Sequence, residues 1–134
     1  MQIRIYYKHT DAGGIVYHSN YIDFCEMARS ELFFEVGMSP TVDGCHFALK
    51  SLQCDFVNVS KLGDLLDVSS EVRVLKNASF EIYHEIKREE VLIFTMSATL
   101  LFLCEDGKIR KIPQDYRRFF ETFIPKDSVN SPTK

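Results

Sequence analysis

Asp11 stands in the run Tyr6-Tyr7-Lys8-His9-Thr10-Asp11-Ala12-Gly13-Gly14-Ile15-Val16-Tyr17-His18-Ser19-Asn20-Tyr21, which joins a strand-like alternation to a helical spacing. Gly13 and Gly14 can take positive φ and let a ligand approach the backbone closely. Ser19 and Asn20 are residue types that open helices. A carboxylate is thereby set beside backbone N–H groups that a helix start leaves without partners. That pairing suits attack on a polarised carbonyl, with the carboxylate as general base or nucleophile and the amides as anion stabilisers. The plainer alternative makes Asp11 a turn residue that caps the amides of Asp-Ala-Gly-Gly. Tyr7 could position water or the carboxylate, and as a core phenol it would look the same. His18 could act through its imidazole or merely pack at the helix start.

The elements that must hold these residues can be read from periodicity. Residues 2–8 alternate apolar and polar, which predicts a strand carrying Tyr7 and then Asp11 to its end. From Ser19, Tyr21, Cys25, Ala28, Leu32 and Val36 form one helical stripe and Phe24, Met27 and Phe34 a second, which predicts a helix buried on several sides. Gly37 ends it and Pro40 blocks its continuation. Long strands follow at about 45–60, 64–76 and 79–104, the last divided by a turn, with a short one near 108–112. Leu66, Val68, Ser70, Val72 and Val74 would face in, as would Phe80, Ile82, His84 and Ile86. The short connections favour antiparallel pairing. Together these predict an α+β chain with one antiparallel sheet wrapped around a long central helix. The strand from Val91 to Leu103 is apolar on both faces, a surplus that implies a second subunit.

At 134 residues the chain suits one domain over residues 1–124, with a polar, frayed tail over 125–134. Sixteen Lys and Arg against 19 Asp and Glu give a net charge of -3, which supplies no global pull toward nucleic acid or an anionic membrane. No apolar run suits a bilayer span and the first residues lack a signal-peptide pattern, so a cytoplasmic location is expected. Cys25, Cys45, Cys54 and Cys104 lack Cys-x-x-Cys spacing and read as buried reduced thiols. His9, His46 and His84 form no metal set with nearby carboxylates, and no metal or cofactor is expected.

The segment from Tyr7 to Tyr21, followed by Glu26-Met27-Ala28-Arg29, closely resembles the signature of acyl-CoA thioesterases of the YbgC and hydroxybenzoyl-CoA thioesterase type. The resemblance implies the hotdog fold over about residues 2–122, with Asp11 as catalytic carboxylate and the His18 amide against the thioester carbonyl. It also implies dimers, often paired into tetramers, with active sites at the subunit interface, and a role in lipid metabolism. The segment Asn58-Val59-Ser60-Lys61 would border the pantetheine arm of coenzyme A, making Val59, Ser60 and Lys61 binding residues. Ser19 departs from the pattern, standing where alanine is common.

Thioester hydrolysis needs an activated water or nucleophile, a stabiliser for the carbonyl oxygen and a leaving thiolate. A thiol with a pKa near ~8.5 leaves readily at neutral pH, so one carboxylate and an oxyanion site suffice. Asp11 acting as base on water and Asp11 attacking to form an anhydride both remain open. Glu31 shares a stripe with Phe24, Met27 and Phe34 and reads as a salt-bridged or rim residue, and Glu26 and Arg29 as pairing with each other or with a partner subunit. Lys61 is the preferred partner for coenzyme A phosphates, ahead of Lys108, Arg110, Lys111, Arg117 and Arg118. A hotdog hydratase or dehydratase is the first rival function, although its proline-containing spacing is absent. A non-catalytic acyl-carrier or protein-interaction module is the second. Acyl carrier protein is an alternative carrier of the acyl group, and short, aromatic and long acyl groups all suit the sequence.

Overall fold

The computed structural model describes residues 1–126, so the tail expected over 125–134 lies almost wholly outside the described residues. Six strands, β1 (Gln2–Arg4), β2 (Thr41–Val42), β3 (Cys45–Phe56), β4 (Leu65–Leu75), β5 (Ser79–Arg88) and β6 (Val91–Cys104), form one antiparallel sheet in the order β1-β4-β5-β6-β3-β2. Two helices accompany it, α1 (His18–Phe34) and α2 (Gln114–Glu121). The chain forms two compact units. The first comprises Met1–Met38, Gln53–Ser70 and His84–Met96; the second comprises Ser39–Leu52, Glu71–Tyr83 and the described chain from Ser97 onward.

In the first unit α1 buries Tyr21, Phe24, Cys25, Ala28 and Phe33. Tyr21 stacks on Phe94 of β6 with ring centroids 5.3 Å apart, and Phe94 in turn meets Phe56 of β3 at 5.1 Å. Burying a side chain of this size contributes about 1.5–3 kcal/mol, so this face carries the helix. The predicted burial on several sides does not hold within the chain, because Met27, Phe34 and Val36 are about half exposed. Phe33, assigned to neither stripe, is buried instead. The helix ends as expected. Gly37 takes a φ of 74°, and Met38 N–H and Gly37 N–H donate back to the Phe33 and Phe34 carbonyls.

The second unit is built on aromatic packing. Phe47 of β3 contacts Phe80, Phe102, Tyr116 and Phe120, and Phe80 stacks on Phe120 at 4.2 Å. Three of α2's residues, Tyr116, Phe119 and Phe120, are buried at helical spacing, and the Tyr116 hydroxyl donates to the Ser39 carbonyl at 2.7 Å. The residues expected to form a strand near 108–112 make only a Leu103–Ile109 bridge, then cross so that Ile112 N–H meets the Asn77 carbonyl. Pro113 caps α2 immediately afterwards, which stops any ladder from extending.

Inward-facing positions in β4 and β5 follow the alternation, with Leu66, Val68, Val72, Phe80, Ile82, His84 and Ile86 buried; Val74, near the strand end, is 39% exposed. In β6, between β5 and β3, every residue from Leu92 to Cys104 is at least partly covered. Expectations differ most for the cysteines. Cys45 and Cys104, 59 residues apart on the neighbouring strands β3 and β6, are joined by a disulfide. Strand pairing creates that proximity, which sequence spacing does not display. Cys25 and Cys54 remain free thiols, and burial pushes the Cys25 thiol up to about 12, so it is protonated and inert at neutral pH.

Candidate active site

β1 is shorter than the alternation predicts, because the chain turns after Ile5 into a 3-10 turn over Tyr7–His9. His9 drives that turn. It is buried, its Nδ1 accepts the Tyr6 N–H at 2.9 Å, and its ring meets Phe24 edge-on at 5.2 Å. Accepting at Nδ1 fixes the neutral imidazole with its proton on Nε2, in line with a pKa lowered by burial and by Lys8. The His9 carbonyl receives both the Tyr17 N–H and the Asn20 side-chain amide, at 2.8 and 2.9 Å. A residue expected to be structural or superficial is thus the pin between the turn and the start of α1.

From His9 the chain makes a narrow loop closed by a Thr10–Val16 bridge, with Asp11 N–H donating to the Ile15 carbonyl at 2.9 Å. Asp11 is exposed. One of its oxygens, Oδ1, accepts the Gly13 N–H at 2.8 Å, which is the turn-capping bond of the plainer sequence reading. Capping engages one oxygen only, and the other has no protein partner among the described residues. Gly14 has a φ of 84°, a conformation that disfavours any side chain, and a Cβ on Gly13 would stand 3.2 Å from Asp11 Oδ1.

The helix start differs from the expected capped form. Tyr17 occupies the cap position with extended backbone and makes no side-chain cap, while Ser19 and Asn20 lie inside the first turn. Among the described residues no hydrogen-bond acceptor meets the His18 or Ser19 N–H. A serine or aspartate at the cap would engage the Ser19 N–H and place its oxygen over the helix end; tyrosine leaves that donor, the His18 N–H and the positive end of the helix open. The His18 ring is exposed, between Tyr17 at 4.3 Å and the edge of Phe56 at 6.1 Å. Tyr7 is 80% exposed and makes its bonds through its carbonyl to Thr10, so no contact of its hydroxyl with Asp11 is formed.

The segment after β3 closes the other side of the loop. Val16 N–H donates to the Ser60 carbonyl at 2.9 Å and Ile15 bridges to Lys61. Val59 and Lys61 are exposed, whereas Ser60 is fully buried and its hydroxyl pairs with Tyr21 OH at 2.6 Å. Ser60 therefore joins this segment to α1 rather than presenting its hydroxyl to a ligand. Arg88 and Asp64, which the sequence does not single out, hold the same segment. The basic residues 108–118 belong to the second unit; there Arg110 pairs with Asp106, and Arg117 donates to the Lys76 carbonyl. Glu31 is exposed and, among the described residues, no ion pair joins it to a cation or Glu26 to Arg29. No group of three His, Cys, Asp or Glu among the described residues could hold a metal ion.

A family model described as the thioesterase superfamily matches residues 13–94, more than half the chain, from Gly13 in the loop through α1 to the first residues of β6. The chain belongs to that superfamily. Among its relatives, the acyl-CoA thioesterase YbgC of Helicobacter pylori is 36% identical over 86 residues, covering 64% of this chain and 65% of that protein, just under two thirds. The acyl-CoA thioesterase YbgC of Haemophilus influenzae is 32% identical over 125 residues, covering 88% and 90%. The crystal structure of a probable thioesterase from Bartonella henselae superposes with a TM-score of 0.77 at 27% identity, covering 84% of this chain and 96% of that one. The six-stranded antiparallel sheet with its long helix is the hotdog fold of this superfamily, as the sequence resemblance implied.

Proposed function

We propose that the protein hydrolyses acyl-CoA thioesters to a free acid and coenzyme A, with Asp11 as the catalytic carboxylate. The observation that carries this reading is the pairing, on one short loop, of an exposed carboxylate with an unengaged oxygen and a helix start whose first amides have no acceptor. In the base route Asp11 takes a proton from water as its oxygen attacks the thioester carbon. Charge passes to the carbonyl oxygen, which the His18 N–H stabilises, and collapse breaks the C–S bond and releases the thiolate. In the nucleophilic route the Asp11 oxygen attacks the same carbon, the C–S bond breaks and the thiolate leaves, and water then cleaves the resulting anhydride. Neither route requires a metal or cofactor.

Val59 and Lys61 border the pantetheine arm, Lys61 meeting the phosphates, while Ser60 supports them from beneath. His18 contributes mainly through its backbone and Tyr7 through its exposed phenol at the edge of the loop. Exposed Phe56, Val57 and Val59 at and just beyond the end of β3, with Met27 and Phe34 on α1 and Val36 just after it, support pairing with a second copy as a homodimer or dimer of dimers. The hotdog domain spans residues 1–124. No described helix is long and apolar enough to cross a membrane. A cytoplasmic location rests on the sequence pattern, and the Cys45–Cys104 bridge pulls against it, since reducing compartments keep thiols free. Acyl carrier protein is the alternative carrier, to be compared with coenzyme A directly.

The test is thiol release from a panel of acyl-CoA and acyl carrier protein thioesters of graded chain length. The wild-type protein should release thiol, and Asp11→Asn should lose nearly all release at unchanged Tm. Undiminished turnover by that variant would refute the assignment.

A further inference from the structure

The Arg88 guanidinium stands at the centre of a small lattice in the first unit. Its NH1 group donates to the Val59 carbonyl and to Asp64 Oδ2, both at 3.1 Å. The same Asp64 oxygen accepts the Lys61 N–H at 2.9 Å, and the backbone of Asp64 accepts from Ile5 N–H and donates to the Lys61 carbonyl. One ion pair thus fixes both ends of residues 59–64 and ties them to the end of β1. That segment is in turn paired with the loop carrying Asp11, through Val16 N–H to the Ser60 carbonyl and the Ile15–Lys61 bridge. Ile5 precedes the Asp11 loop and Val16 follows it, so the lattice reaches the loop from both sides. Arg88 and Asp64 are each partly exposed, and an isolated ion pair at such a site contributes little to global stability. Its geometry is what matters, because the two hydrogens of one guanidinium nitrogen hold a carbonyl and a carboxylate together.

We infer that Arg88, through Asp64, is a positioning residue that holds residues 59–64 against Ile15 and Val16 and thereby sets the Asp11 carboxylate relative to the His18 N–H. The inference rests on the thioesterase reading for its kinetic consequence but not for its structural one. A clamp of this kind acts on the chemical step, since misplacing a catalytic group by a fraction of an ångström lowers kcat by more than the looser hold on Val59 and Lys61 raises KM.

The experiment pairs kinetics on one acyl-CoA with amide hydrogen exchange in Arg88→Met, Arg88→Lys and Asp64→Ala. In Arg88→Met the Val16 and Lys61 amides should exchange at least about tenfold faster and kcat should fall about tenfold, with a smaller rise in KM because Val59 and Lys61 ride on the loosened segment. Asp64→Ala, which removes the acceptor of both the Lys61 N–H and Arg88, should behave alike, and adding it to Arg88→Met should cost little further rate, since both break one unit. Arg88→Lys, which keeps the charge opposite Asp64, should regain more than half of the lost kcat. Unchanged exchange at Val16 and Lys61 would overturn the clamp whatever the activity. A raised KM with kcat preserved would also overturn it, as that is the mark of direct contact with the phosphates of the substrate. If the wild-type protein releases no thiol, the thioesterase reading fails, and the exchange rates alone then decide whether Arg88 holds the segment.

Discussion

Two polar clusters of the first unit are built on opposite terms. Around Asp11 the polar groups are exposed, and those that bear on a ligand are left without protein partners: one carboxylate oxygen and the first amides of α1. Around His84, which is fully buried, polar atoms have protein partners. Arg29 can only donate, so His84 Nε2 accepts from it at 3.3 Å and the ring proton sits on Nδ1, within reach of Ser70 Oγ at 2.9 Å and the Ser69 carbonyl at 3.3 Å. The first cluster is available for chemistry. The second joins α1 to β4 and β5, and its satisfaction is the reason it offers no ligand anything. A buried histidine beside a cation and a serine could be mistaken for a catalytic group, whereas the exposed aspartate looks like an ordinary turn.

The largest effect should follow from breaking the open cluster. Asp11→Asn preserves the Gly13 hydrogen bond through its amide oxygen and removes the charge, so turnover should fall by about 10²–10⁴-fold while urea unfolding is unchanged. If the variant were destabilised and still active, Asp11 would belong with His84 as a structural group. Breaking the closed cluster should do the reverse. His84→Leu leaves the Arg29 guanidinium facing hydrocarbon and should lower unfolding free energy by about 2–3 kcal/mol, read by urea titration, with kcat per folded molecule within about twofold. Pairing it with Arg29→Met should recover part of that loss, because the stranded charge is removed.

Periodicity exposes much of this architecture and almost none of its pairing. The α1 stripe, the alternation of β4 and β5 and the Gly37 stop are each local patterns, read from residues a few positions apart. Asp11 and His18 are likewise recognisable because loop and helix start are contiguous. His84 is different: its inward position follows from alternation, but Arg29 is 55 residues away and Ser70 is 14. The same holds for Arg88 with Asp64, Ser60 with Tyr21 and Cys45 with Cys104, pairs of residues far apart in sequence that only the folded chain brings together. The turn at Tyr7–His9 escaped for a related reason. An alternating run predicts a strand, and only the burial of His9 shows why the backbone leaves it.

Acid should destabilise the fold through the closed cluster. Burial and Arg29 lower the His84 pKa from about 6.5 to about 3, so the folded state holds it neutral while the unfolded chain protonates. Proton uptake therefore favours unfolding. The contribution is complete above pH 6.5 and is lost as pH falls from 6.5 toward 3, at up to about 1.4 kcal/mol per pH unit. His9, also lowered by burial, acts in the same direction. Unfolding free energies measured between pH 7 and pH 4 should fall with this slope. In the Arg29→Met, His84→Leu variant the slope should be shallower; an identical slope would place the acid sensitivity elsewhere.

Tyr7 should give the smallest effect and the finest test of the contrast. Its phenol is exposed and bonded to nothing among the described residues, so it has the openness of the Asp11 cluster without its preorganisation. Catalysis depends on donors held in place before the reaction, since a group that must be ordered during the step loses most of its advantage. Tyr7→Phe should therefore lower kcat by less than about threefold, and His18→Ala, which keeps the amide, by less than about tenfold. A loss from Tyr7→Phe approaching that of Asp11→Asn would mean that the phenol is ordered by substrate or by a second copy of the chain. Openness would then mark a site completed by its partner, not one already assembled in the loop.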